Sequence, residues 1–135
     1  MHTPETHIID EKLREVLSSF PQITLAIVFG SVASGQAHAQ SDLDLAVIAV
    51  KPLRAVEKIQ IIQALTVATG RPIDLVDVHF APQPLLGQVL KHGRRILGSD
   101  TAYAQLLYRH LIAQADFAPL QNRILSERRA AWIGK

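Results

Sequence analysis

Apolar positions along the chain change period several times, and each change marks an element. Ile9, Leu13, Val16, Leu17 and Phe20 recur at helical spacing behind Thr3, a capping residue, and Pro4, whose fixed φ suits the first helical position; this predicts a helix over residues 5–19. Pro21 stops it, and the β-branched run Ile23–Phe29 predicts a first strand. Gly30-Ser31 then leads into a short helix with Val32 and Ala33, followed by a polar connection from Ser34 to Ser41. The second strand, Asp42–Val50, is almost continuously apolar and reads as covered on both faces. Leu53, Val56, Ile59, Ile62, Leu65 and Ala68 place a helix over Leu53–Thr69, ended by Gly70 and kept from resuming by Pro72. A third strand follows over Ile73–Phe80. Pro82 and Pro84 open a helix through about Lys91, Gly93 punctuates it, and Arg94–Leu97 reads as a short edge strand. A last amphipathic helix starts at Asp100 or Thr101, with Tyr103, Leu106, Leu107, His110 and Leu111 on its apolar side, before a basic tail.

Helices alternating with a few strands imply an α/β (α+β) layer fold, a small mixed sheet with one face covered by helices. At 135 residues the chain has room for one domain with a proper core. Its 48% hydrophobic and 19% charged residues place it among soluble globular proteins and exclude disorder. No apolar run approaches the roughly 20 residues that span a bilayer, and the polar start Met-His-Thr-Pro-Glu-Thr lacks the form of a secretory signal. The absence of cysteine excludes disulfides and thiolate metal sites, and the expected compartment is the cytoplasm.

The net charge of +2 is unevenly spread. Residues 1–99 carry nine Lys/Arg and nine Asp/Glu, so the excess lies in the last segment. After position 120, Arg123, Arg128, Arg129 and Lys135 face only Glu127, a pattern suited to an acidic partner surface, with Trp132 as an anchor. A nucleic-acid face would be denser in base and richer in aromatics than a chain with 5% of them.

The candidate chemistry sits where the first strand ends and the second begins. In a strand alternate side chains share a face, so Asp42 and Asp44 project together while Leu43, Leu45 and Val47 point the other way. Two such carboxylates repel unless a cation lies between them, and a hard divalent ion held by carboxylates and substrate phosphates is the natural one. Ten residues earlier, Gly30 has no Cβ to hold a phosphate away from the backbone, and Ser31 offers an N–H and a hydroxyl. Free N–H groups of a helix opening there would face the same anion. A phosphate cradle and a metal clamp together make a site for a metal-bound nucleoside triphosphate. Asp74, an acid within the third apolar run, is the candidate third carboxylate; Asp77, three residues on, points to the opposite face. His38 reads as a loop residue. His92 and His110 have no partner at metal-ligand spacing, and Ser31 has no histidine placed to make it a nucleophile.

Gly30-Ser31, the ten-residue gap, Asp42-Leu43-Asp44 and the later Asp74 resemble the DNA polymerase β nucleotidyltransferase superfamily over roughly residues 20–98. The small size is similar to the minimal nucleotidyltransferases, specifically the antitoxin members of HEPN/MNT toxin–antitoxin pairs. That resemblance implies a polymerase-β-like fold and AMP transfer from ATP to a tyrosine hydroxyl of a HEPN-domain toxin, an RNase thereby inactivated. It implies Mg²⁺, as two ions, held by Asp42, Asp44 and Asp74; Asp74 assisting deprotonation of the acceptor; and Gly30 with Ser31 on the β- and γ-phosphates. Residues 1–99 would form the nucleotidyltransferase and 100–135 a partner-docking helix and tail. The chain departs from many relatives at Val32 and Ser34, where they carry arginine, which leaves Lys51, Arg54, Lys91 or Arg94 to supply positive charge. Two further readings share the sequence: a binding-only antitoxin with a vestigial site, and a transferase acting on a small molecule of the aminoglycoside type, for which a substrate domain lacks room.

Overall fold

The computed structural model describes residues 4–30 and 42–115. Helix α1 spans Pro4–Leu17 and strand β1 Ile23–Phe29; β2 spans Leu43–Ala49 and α2 Ala55–Thr69. Then come β3 (Ile73–Asp77), a 3₁₀ turn (Val78–Phe80), α3 (Gln83–His92), β4 (Arg94–Leu97) and α4 over residues 100–115. The strands lie in the order β3-β2-β1-β4. β1 runs antiparallel to β2 and β4, whereas β2 and β3 are parallel, so α2 serves as the crossover between them.

Both faces of the sheet are covered, as the apolar pattern of the second strand implies, where the alternation of elements predicts helices on one. Ala26, Val28, Leu43, Leu45, Val47, Leu75 and Ile96 pack on one face against Leu13 and Leu17 of α1 and Ile61 and Leu65 of α2. Leu25, Ile27 and Ala46 pack on the other with Val78, Leu86 and Val89 and with Leu106 of α4. The reason is in the inner strands. Their odd and even positions are both apolar, so a single helical layer would leave one set in water.

Three boundaries differ from expectation by two residues or more. α1 stops at Leu17, and a turn in which Phe20 N–H donates to Leu17 O at 3.0 Å leads into β1. The helix expected from Leu53 begins at Ala55. β3 ends at Asp77, not Phe80. Its buried carboxylate accepts from His79 N–H at 3.0 Å and from Leu53 N–H at 2.8 Å, which curls Val78–Phe80 into the 3₁₀ turn and ties it to the approach to α2. α2 closes as expected at Gly70, whose φ of 69° is the left-handed conformation a glycine cap adopts. The expected short helix at Ser31–Ala33, the connection Ser34–Ser41 with His38, and the basic tail with Trp132 lie outside the described residues. Among the described residues no helix is long and apolar enough to cross a membrane.

Candidate active site

The parallel β2–β3 pairing sets Asp44 directly beside Asp74, and the antiparallel β1–β2 pairing sets Asp44 opposite Phe29, the last residue of β1. All three strands therefore present the same end. Asp42 directly precedes β2, and the two-residue repeat puts it on the face of Asp44. That face also carries α3 and α4, beyond the apolar patch that starts at Ala46 and Val76. Asp42 and Asp74 are exposed and Asp44 is half-buried.

Burial raises the Asp44 pKa above the usual carboxylate value. The charge of Asp74, a hydrogen bond with the Asp74 carboxyl, and then the charge of Asp42 push the same way. The expected grouping of the three acids is thus present electrostatically. Asp77 shares the register of Val47, whose side chain belongs to the opposite face, and its bonds to Leu53 and His79 make it a structural acid.

Gly30 follows β1 with φ 76°, and a Cβ placed there would run into the Asp44 carboxylate. The glycine thus meets two demands, a left-handed backbone and room for an acid on the neighbouring strand. Ser31, the other half of the expected phosphate cradle, lies outside the described residues.

The cations sort themselves by position. Arg94 is turned to the face of α1, where its guanidinium holds both oxygens of Asp10 at 2.9 and 3.1 Å. Arg54 donates to Glu57 at 2.9 Å, and it and Lys51 follow the end of β2 remote from Asp44. Lys91 lines a groove between α3 and α4. Of the four residues expected to supply charge, Lys51, Arg54 and Arg94 are placed elsewhere. Arg71 is an arginine whose backbone stands at the acid end, next to Pro72, whose carbonyl accepts from Leu43 N–H at 2.9 Å. Only its place three residues before Asp74 marks it in the sequence.

Among the described residues no three His, Cys, Asp or Glu side chains form a ready-made metal cage. The donors still suit a hard divalent cation. Magnesium is commonly held by one or two carboxylates with water and substrate phosphates filling the other positions, and the mutual repulsion recorded at Asp44 is what such a charge relieves.

Residues 11–102 match the family described as polymerase beta, nucleotidyltransferase. A protein adenylyltransferase MntA of Shewanella oneidensis is 32% identical over 102 residues, covering 71% of this chain and 73% of that protein. A crystal structure of a toxin–antitoxin with AMP-PNP superposes with a TM-score of 0.75 at 25% identity, over 90% of this chain and 98% of the other. A tri-AMPylated Shewanella oneidensis HEPN toxin in complex with its MNT antitoxin provides a further likeness of fold, with a TM-score of 0.71 at 22% identity over 93% and 99% of the two chains.

Proposed function

The chain belongs to the polymerase β nucleotidyltransferase family, and from that membership we propose that it is an antitoxin that transfers AMP from ATP to a tyrosine hydroxyl of a HEPN-domain toxin in the cytoplasm. The observation that carries the reading is the in-register pair Asp44 and Asp74, with Asp42 adding charge and Gly30 packed against Asp44. The adenylyltransferase relative and the fold shared with a nucleotide-bound toxin–antitoxin complex support the choice of AMP and of a protein acceptor.

Asp42 and Asp44 would hold Mg²⁺, with Asp74 completing a second ion's site; bound there, such ions neutralise the triphosphate and stabilise the attacking and leaving oxygens. Gly30 would offer its N–H to the β- and γ-phosphates, and Ser31 would add a hydroxyl donor. Asp74, exposed on the edge strand β3, would assist deprotonation of the acceptor hydroxyl. It accepts the tyrosine proton as the phenolic oxygen bonds to the α-phosphorus. The bond from that phosphorus to the bridging oxygen breaks, and pyrophosphate leaves. Most of the acceleration comes from positioning and charge neutralisation, as in phosphoryl transfer generally.

Intact mass spectrometry tests this reading. The HEPN-domain protein encoded in the adjacent reading frame, incubated with this chain, ATP and Mg²⁺, gains AMP increments, and EDTA or the Asp42→Asn/Asp44→Asn variant abolishes them. A toxin left unmodified yet inhibited would instead establish a binding-only antitoxin. Gly30→Ala should lower stability by about 1–2 kcal/mol through its left-handed backbone. By displacing Asp44 it should also slow transfer on the order of 10²-fold, the effect of a misplacement of roughly 1 Å. A thermal melt and a single-turnover rate separate the two effects.

A further inference from the structure

On the outer side of α3 a groove of about 790 Å³ runs between that helix and α4. Its floor is built. The buried His110 ring holds Gln83 Oε1 at 2.6 Å from Nδ1, and Gly87 lies so near that ring that an added Cβ would come to 3.5 Å from Nε2. Its walls are apolar, with Leu90 on α3 and Leu107 and Leu111 on α4. Leu111 is 53% exposed, and the neighbouring Ile112 and Tyr108 are 43% and 66% exposed. An amphipathic helix that leaves this row in water is unpartnered on that side.

Charge sets the chemistry of the occupant. From Val78 to Ala115 the sequence contains one acid, Asp100, and Arg95 holds it at 2.6 Å at the start of α4. Among the described residues no acid lines the groove, whereas Lys91 lies in its wall. Apolar walls with a cationic rim suit an amphipathic helix whose apolar stripe is flanked by carboxylates. The chain's own residues 116–135 are a poor match, since Arg123, Arg128, Arg129 and Lys135 outnumber Asp116 and Glu127.

We propose that the α3–α4 groove is where the toxin docks, receiving an acidic amphipathic helix of that partner. This rests on the functional reading above and adds to it the surface by which the antitoxin recognises its substrate. The groove is formed by α3 and α4, the two helices that cover the sheet face carrying Asp44 and Asp74.

The test uses the full chain and the purified HEPN-domain protein of the adjacent reading frame. Leu107→Glu/Leu111→Glu should weaken toxin binding by roughly 30- to 100-fold in calorimetry, the loss expected from two central apolar contacts. In adenylylation it should raise KM for the toxin and leave KM for ATP and kcat unchanged. Lys91→Glu should weaken binding roughly 10-fold at low salt and less at high salt. Melting temperatures should stay close to wild type, because the substituted side chains are partly or fully exposed. Hydrogen exchange should slow over residues 83–91 and 107–114 only when toxin is added. No added protection over these residues on toxin binding, or variants that bind the toxin as wild type does, would overturn the groove assignment while leaving the adenylyltransferase reading intact. A wild-type chain that neither binds nor modifies the toxin would overturn that reading itself.

Discussion

Replacing Asp44 with asparagine should abolish nucleotidyl transfer and at the same time make the free protein more stable at neutral pH. The activity loss follows from position. Asp44 stands between Asp74 and the end of β1, and a neutral amide there removes one of the charges around which a metal-bound triphosphate would be held. Losing several kcal/mol of charge stabilisation corresponds to a rate lower by a factor on the order of 10³ or more. The stability gain follows from electrostatics. Burial, then Asp74, then Asp42 raise the Asp44 pKa above its ordinary 3.8, so in the folded protein this group holds its proton to higher pH than in the unfolded chain. Where the folded state binds more protons, stability falls as pH rises. The wild type therefore loses stability from the ordinary carboxylate range upward through the raised pKa, and Asp44→Asn does not.

Urea unfolding between pH 4 and pH 8 in EDTA reads this difference directly. The variant should be the more stable by about 0.5–2 kcal/mol at pH 7, the usual gain from optimising surface charge, and the gap should close toward pH 4. Mg²⁺ and ATP should reverse the order, because a ligand at 100 times its dissociation constant adds about 2.7 kcal/mol to the wild type and little to a variant that cannot hold it. A variant no more stable than wild type in EDTA would mean that the carboxylates do not repel one another as their arrangement implies.

Asp44 also shows how far the sequence could be read. The two-residue repeat put Asp42 and Asp44 on one face because strand geometry leaves no alternative once the apolar run has identified the strand. Parity showed only that Asp74 and Asp77 point to opposite faces; the parallel register of β2 and β3 sets Asp74 beside Asp44. Neighbouring strands were not legible in that way. Nothing local states that β3 lies next to β2, or that β1 runs antiparallel to two partners, because pairing depends on contacts between distant segments. The second helical layer was implicit in the apolar residues on both parities of β1 and β2, and the second strand read as covered on both faces, but the alternation of elements suggested helices on one face only. The fate of the arginines was the least visible. Arg94 and Arg54 look alike as cations in the sequence, yet one is turned to Asp10 and the other to Glu57, and which carboxylate each meets is decided by packing. Asp77 likewise ended β3 early through bonds to Leu53, 24 residues away, and to His79.

Asp10 and Arg94 should prove the most costly polar pair to break among those described. The guanidinium meets both carboxylate oxygens across the α1–β4 contact, with the side chains only 7% and 16% exposed. Asp10→Ala would leave that guanidinium buried without its anion, a change that typically destabilises by about 3–5 kcal/mol. For a domain of this size the melting temperature should fall on the order of 10–20 °C. The loss reflects an orphaned charge more than the strength of the pair, because desolvation offsets much of the attraction between buried ions. A second variant separates the two: Asp10→Leu/Arg94→Met fills the space with apolar groups and should recover most of the lost stability. The clamp also bears on the site. Arg94 pairs with Val28 in the sheet, two residues before Gly30, so an α1 that loses its hold on β4 loosens the strand end that faces Asp44. Asp10→Ala should therefore reduce transfer even at temperatures where it remains folded, whereas the double apolar variant should restore both stability and rate. If the double variant melted as low as Asp10→Ala, the pair itself, and not the unpaired charge, would be what holds α1 to the sheet.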